Sequence, residues 1–444
     1  MSEPRREPSG PGHLPGPDVG RRRMLTAALG AATAAGLGAC VSGGPTSGSP
    51  THAVGAGSAT GAQSAGDPAA GPGTGTTPGP AAASTAGPAS GPGAGAAPAF
   101  RADRQPGIWG RVQPFAAFVA LDLAPAARAF DVRRMMRIWS SDIERLMSGR
   151  APLTDPEPEL ARHTAGLSVT VGVGARVVAL VRGAAATPRW LGELPAYRID
   201  QLEERWSGGD LLLQVCADSP TTVSHAVRRL TVGVSDLARV RWVQRGFREP
   251  LDTGEGLIGM RNLFGQVDGT VNPSDESLVF IDGQGPSWLR HGSSVVIRRI
   301  RMDLQGWERV DRLARENAVG RRLADGAPVT GGRERDTPDF AATDPLGLPV
   351  IDDSAHVRRA HAHSAAEHFL RRPYSYDEGA PDDPDAGLIF VTYQADPLAQ
   401  FHPVQARLAE RDLLNLWTTP IGSAVFAVLP GIGADEFLGA ALLA

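Results

Sequence analysis

From Val41 to about Pro98 the chain is built almost entirely of Gly, Pro, Ala, Ser and Thr. Such a stretch buries too little apolar surface to offset the entropy lost on ordering. The sequence therefore predicts a disordered tether over residues 41–98 and confines the fold to about Phe100–Ala444. A coil of that length has a root-mean-square reach of roughly 40 Å, from ~5–6 Å times the square root of the residue number. It serves either to hold a folded domain clear of a surface or as a plain spacer.

The segment before the tether, residues 1–40, reads as an export signal. Arg21-Arg22-Arg23-Met24-Leu25 precedes an apolar run from Ala27 to Ala39, shorter than the ~20 residues that span a bilayer. The arginine pair points to twin-arginine export, which carries folded proteins and suits a cofactor loaded before transport. Leu37-Gly38-Ala39-Cys40 is similar to a bacterial lipobox, in which Cys40 would become a lipid anchor and place the protein at the cell surface. In the alternative, Cys40 is discarded with an ordinary signal and the protein is extracellular.

Net charge is -4, from 44 basic and 48 acidic residues, and no basic stripe interrupts that balance, so a nucleic-acid partner is not expected. Cys40 and Cys216 are the two cysteines. Neither lies in CxxC or CxxCH, which excludes a zinc ribbon and covalent c-type haem.

Within the remaining chain, strand and helix patterns alternate. Phe115–Leu123 reads as a buried strand, and Pro125 opens a helix whose Val132, Met135, Met136, Trp139, Ile143, Leu146 and Met147 fall on one face. Leu167–Val173 and Asp210–Cys216 are strands, with Cys216 a buried free thiol. Pro220 starts a helix bearing Val223, Val227 and Leu230, and Val240–Phe247 returns as a strand. That order is ferredoxin-like. The second half repeats it in outline: strand Ser294–Met302, helix Leu304–Ala314, strand Gly387–Tyr393, helix His402–Trp417 and strand Ser423–Leu429. The expected fold is α+β, with antiparallel sheets in two ferredoxin-like halves, residues 99–260 and 261–444.

Two stretches of the second half carry chemistry. Asp352-Asp353-Ser354-Ala355-His356-Val357-Arg358 offers an imidazole, with a permanent cation, Arg371, fifteen positions on. Arg261-Asn262-Leu263-Phe264-Gly265-Gln266-Val267-Asp268-Gly269-Thr270-Val271-Asn272-Pro273 holds a carboxylate between glycines. Alone, each has an ordinary structural role: a surface histidine, a turn aspartate, a solvated arginine. Together the two stretches resemble the dye-decolourising peroxidase family, in the branch similar to deferrochelatase/peroxidase proteins. Gly265–Gly269 fits its GxxDG signature and Ala355-His356-Val357-Arg358 its proximal histidine segment. Ser207–Cys216, Val295–Met302, Gly326-Ala327-Pro328 and Thr419–Ser423 extend the likeness over nearly the whole folded region.

The resemblance implies a non-covalently bound haem b, with hydrogen peroxide and bulky aromatic donors such as dyes and phenolics as substrates. His356 would be the proximal iron ligand. Asp268 would move the peroxide proton, and Arg371, the first of an arginine pair, would stabilise charge as the O–O bond breaks. Gly269, Thr270, Val271, Arg321, His361, Ala362 and His363 would line the haem. Tyr374, Tyr376, Trp417 and Trp242, if near the surface, are candidates to relay electrons from donors.

Three departures from the family pattern stand out. His361-Ala362-His363 replaces an Asn-Pro-Arg run. Leu416 stands where an acid is expected beside the proximal imidazole, leaving Asp412 and Asn415 as local candidates; a weaker partner would make His356 less electron-donating. Arg372-Pro373-Tyr374 stiffens the turn after Arg371. Other readings remain: haem-iron handling alongside an iron-uptake system, a tethered binding lipoprotein without catalysis, and a non-haem metal site from His356, His361, His363 and His368, whose spacing fits no recurrent ligand set. A homo-oligomer is compatible with all of them.

Overall fold

The computed structural model describes residues 98–249, 260–283, 285–380 and 382–444. The export signal, Cys40 and all but the last residue of the tether lie outside the described residues.

The first half contains β1 (Phe115–Leu123), α1 (Ala129–Met147), β2 (Ser168–Val173), α2 (Ala175–Arg182), β3 (Leu211–Ala217), α3 (Pro220–Val232) and β4 (Ala238–Phe247). Its strands pair antiparallel in the order β4-β1-β3-β2, which is ferredoxin-like. The apolar stripe of α1 is core throughout, Trp139 and Ile143 being wholly buried. Because strand side chains alternate between faces, Ala117, Val119 and Leu121 pack under the helices while Ala116, Phe118 and Ala120 face the other way. Both faces of β1 are therefore covered, which accounts for its unbroken apolar sequence.

The second half opens with a small hairpin, β5 (Met260–Arg261) and β6 (Val267–Asp268), paired antiparallel. It continues with β7 (Ser293–Met302), α4 (Leu304–Glu308), α5 (Arg312–Val319), α6 (His356–Arg359), β8 (Leu370–Arg371), β9 (Tyr374–Asp377), β10 (Ala386–Gln394), α7 (Phe401–Arg411), β11 (Thr418–Val428) and α8 (Ala440–Leu443). The order β11-β7-β10-β9 repeats that of the first half. The sheets join edge to edge through β2–β11 and β4–β9, which closes a ring of eight strands. Phe118, Cys216, Tyr374, Tyr393 and Phe426 fill the space between the sheets.

Three expectations change. The strand pattern predicts three long strands in the second half; Leu370–Asp377 supplies the missing fourth position as β8 and β9. Its alternation is broken by the adjacent arginines and by Pro373, which cannot donate to a ladder. The helix expected over Leu304–Ala314 is two pieces, each beginning at an Asp whose carboxylate accepts from the third residue on, Asp303 from Gly306 N and Asp311 from Ala314 N. The helix expected to reach Trp417 stops at Arg411, where Asp412 caps the 3-10 turn Leu413–Leu416.

Candidate functional site

His356 is the first residue of the short helix α6. Its Nδ1 lies 2.6 Å from Asp412 Oδ2, and Asp412 Oδ1 accepts from Leu414 N at 2.9 Å. Leu413 N donates to Ser354 O at 2.9 Å, which ties the Asp412 turn to the segment leading into His356. Burial lowers the pKa of His356, but the charge and hydrogen bond of Asp412 outweigh it, with a smaller upward push from Asp268 and a downward one from Arg371; the net shift is upward. The side chain keeps 35 % of its surface open, so the imidazole is held by Asp412 without being packed shut. Of the two local candidates, Asp412 and Asn415, it is Asp412 that meets the imidazole. Asp412 supplies the acid from the capping position, while Asn415 turns back to Leu408 O and Leu416 is exposed.

The carboxylate and cation meet across the fold. Arg371 Nη1 donates to Asp268 Oδ1 at 3.3 Å and Nη2 to Val271 O at 3.1 Å. Asn272 locks the two stretches together: its Oδ1 accepts from Arg371 N at 2.9 Å and its Nδ2 donates to Arg371 O at 3.1 Å. Asn272 belongs to the Gly265–Pro273 stretch, but its role emerges only in the fold; an amide between a turn and a proline is the signal that marks it. Arg372 points the other way, buried, with Nη1 on Gly110 O and Nη2 on Arg111 O, both 3.1 Å.

Gly269 adopts φ +90°, a conformation suited to glycine, and a Cβ there would meet no atom of the described residues within 4 Å. Thr270 Oγ1 donates to Glu334 Oε1 at 2.8 Å, and Val271 is exposed. Arg321 follows the left-handed cap Gly320 of α5 and donates from Nη1 to the carbonyls of Gly326 and Glu334, both at 2.7 Å. Burial, only partly offset by Glu334, pushes its pKa down, so it is no free surface charge. Glu334, itself buried, is a second residue that sequence reasoning missed. His361 and His363 are exposed and Ala362 half-buried; the His361 ring stands edge-on to Phe340 at 5.1 Å. Among the described residues no three His, Cys, Asp or Glu side chains are grouped to hold a metal ion.

The relay candidates are placed differently from expectation. Tyr374, Tyr376 and Trp242 are buried between the sheets because they lie on inward-facing strand positions. Trp417 is half-buried beside Trp307, their rings 5.1 Å apart, and Trp307 stacks on Phe264 at 4.6 Å.

The donor set suits a haem. With Nδ1 committed to a carboxylate, Nε2 of His356 is left with the lone pair that an iron ligand needs. The rest of the site offers a single carboxylate, a fixed cation and a glycine with open space beside it.

Comparisons with known proteins identify the family. The family model "Dyp-type peroxidase, N-terminal" matches residues 105–248, and "Dyp-type peroxidase, C-terminal" matches residues 259–433. The chain is similar to a dye-decolorizing peroxidase of Thermobifida fusca, 38 % identical over 360 residues that cover 76 % of this chain and 83 % of the relative. It is also similar to a deferrochelatase of Escherichia coli O157:H7, 33 % identical over 370 residues covering 78 % and 86 %. Among solved structures, a DyP-type peroxidase from Cellulomonas bogoriensis superposes with a TM-score of 0.77 at 48 % identity, covering 81 % of this chain and 99 % of that one. Ferric DtpA from Streptomyces lividans superposes with a TM-score of 0.74 at 36 % identity, covering 79 % and 98 %. By these matches across both halves, the chain belongs to the DyP-type peroxidases and is a haem-dependent peroxidase whose cofactor is haem b.

Proposed function

We propose that this is an exported peroxidase in which His356 holds the haem iron while Asp268 and Arg371 act on peroxide, with bulky aromatic molecules as donors. The observation that carries this reading is the Arg371–Asp268 contact, which joins residues 103 positions apart in the region whose charges also act on His356. Bound haem would supply the iron at which peroxide is split and from which two oxidising equivalents are passed on. Asp268 would take a proton from the near oxygen of peroxide and return it to the far one, which leaves as water. Arg371, held by Val271 O as well as by Asp268, would sit beside the charge that develops as the bond breaks. Gly269, Thr270 and Val271 would line the haem, as would His361, Ala362 and His363, and Arg321 would meet a propionate.

Replacing His356 by Ala tests the ligand assignment. The expected outcome is loss of the Soret band and of peroxide-dependent dye oxidation together; full haem occupancy with an unchanged spectrum would move the ligand elsewhere.

A second reading, release of iron from haem, draws on the deferrochelatase relatives. It is separated by iron balance: incubation with haem and no peroxide yields free iron and intact porphyrin under that reading, and neither under the first.

Export rests on the arginine pair and apolar run of residues 21–39, and a surface anchor on Cys40. Cys40→Ser should move the protein from the membrane fraction to the medium. Identical fractionation of variant and wild type would remove the anchor.

A further inference from the structure

Behind Arg371 the sheet holds a redox-capable pair. Strand alternation sends Arg371 to one face and Arg372 to the other, and Tyr374 follows on the Arg372 side. Tyr374 is 1 % exposed, and its hydroxyl lies 3.1 Å from Gln113 O and 3.6 Å from the sulfur of Cys216, which is wholly buried. From Arg371 to Tyr374 is three residues, about 10 Å of extended backbone. The register Phe247↔Ser375 brings Arg248 alongside Tyr374, and the charge of Arg248 interacts with Asp268 as well as with Tyr374 and Cys216. A phenol and a thiol in contact, enclosed within the ring of strands, thus adjoin the peroxide-handling residues. Neither has a part in the proposed binding of haem or peroxide.

We propose that Tyr374 and Cys216 form an internal electron source that discharges the site when no donor is bound, so that Cys216 is the sacrificial end of the path. The role rests on the peroxidase reaction. In the first step Tyr374 gives one electron to the oxidised site, and its phenol proton is consumed as peroxide oxygen becomes water. The resulting phenoxyl takes a hydrogen atom from Cys216, which restores Tyr374 and leaves a thiyl. In the second step the thiyl loses an electron to the site and adds water, giving a sulfenic acid and a proton. The sum is Cys–SH + H₂O₂ → Cys–SOH + H₂O, and one peroxide supplies both oxidising equivalents. Direct attack by peroxide is disfavoured, because the thiolate is the nucleophile and burial pushes the Cys216 thiol up.

The test is peptide mass mapping of the haem-loaded protein after peroxide without donor. Expected is a gain of one oxygen on the Cys216 peptide, suppressed at least tenfold by excess aromatic donor or by cyanide on the iron, and slowed at least tenfold in Tyr374→Phe while peroxide is still consumed. In Cys216→Ala, freeze-quench spin resonance should show a longer-lived tyrosyl radical. Oxidation undiminished under cyanide would mean direct entry of peroxide, and oxidation undiminished in Tyr374→Phe would remove the relay; either overturns the proposal. So does an unmodified Cys216 in protein that consumes peroxide. A haem-loaded protein that consumes none refutes the peroxidase reading itself, and the pair's role with it.

Discussion

His356 Nδ1 and Asp412 Oδ2 stand 2.6 Å apart, although 56 residues separate them in the chain. The contact occupies Nδ1 with a carboxylate and leaves Nε2 as the nitrogen available to a metal. Asp412 can do this because it also caps the turn that follows α7, accepting from Leu414 N, so its second oxygen is fixed in direction.

Asp412→Asn keeps the shape and removes the charge. The haem iron should become easier to reduce, and haem affinity or turnover should fall by about ten- to a hundredfold, the usual cost of losing such a partner. A spectroelectrochemical titration reads the first and haem transfer to apomyoglobin the second. An unchanged midpoint potential would mean that Asp412 only caps the turn.

Asp268→Asn and Arg371→Leu should both retain haem and both slow the reaction with peroxide. For the carboxylate the expected loss is about 10²–10⁴-fold, the range for removal of a general acid–base group. Stopped-flow mixing with peroxide measures it. Wild-type speed in Asp268→Asn would reduce Asp268 to a turn residue.

Asn272→Ala should leave the Soret band in place and lower kcat/KM by about tenfold or more, since a displacement of ~1 Å at a reacting group costs on the order of 10²-fold. Its amide makes both backbone contacts to Arg371. Asn272→Asp, which keeps the acceptor and loses the donor, should fall between the two. Equal activity in all three proteins would show that β8 is positioned by its ladder alone.

His361 should titrate below the ordinary imidazole range. Burial against its neighbours lowers its pKa first, then the charges of His363, His368 and Arg407, with Glu367 opposing. The unfolded chain therefore takes up a proton at His361 at a higher pH than the folded one does. Its contribution to stability is complete above the unfolded pKa and is lost as pH falls towards the folded value. The effect on stability is small because the ring is exposed. Proton NMR titration with His361→Asn as the assignment control checks it, and a midpoint at or above ~6.5 would refute it.

Much of the architecture was legible in the sequence, because it follows from local pattern. The run Phe115–Leu123 and the stripe from Val132 to Met147 carry the periods of a two-faced strand and a one-faced helix, and each became the element its period requires. His356, Asp268 and Arg371 could be named through motif resemblance, without any knowledge of their separation. What the sequence did not contain was parity and reach. Nothing local decides which of Arg371 and Arg372 faces the site. That is set by the pairing of β8 and β9 with β10 and of β9 with β4, and the arginines and Pro373 hid those strands. The partner of the His356 imidazole was likewise undecided between Asp412 and Asn415, because the choice depends on where α7 stops and how its cap turns toward Ser354. Residue type and spacing determine which chemistry the chain can carry. Contacts across tens of residues decide which atoms meet, because they are set by long-range packing and hydrogen bonding that no short window of sequence contains.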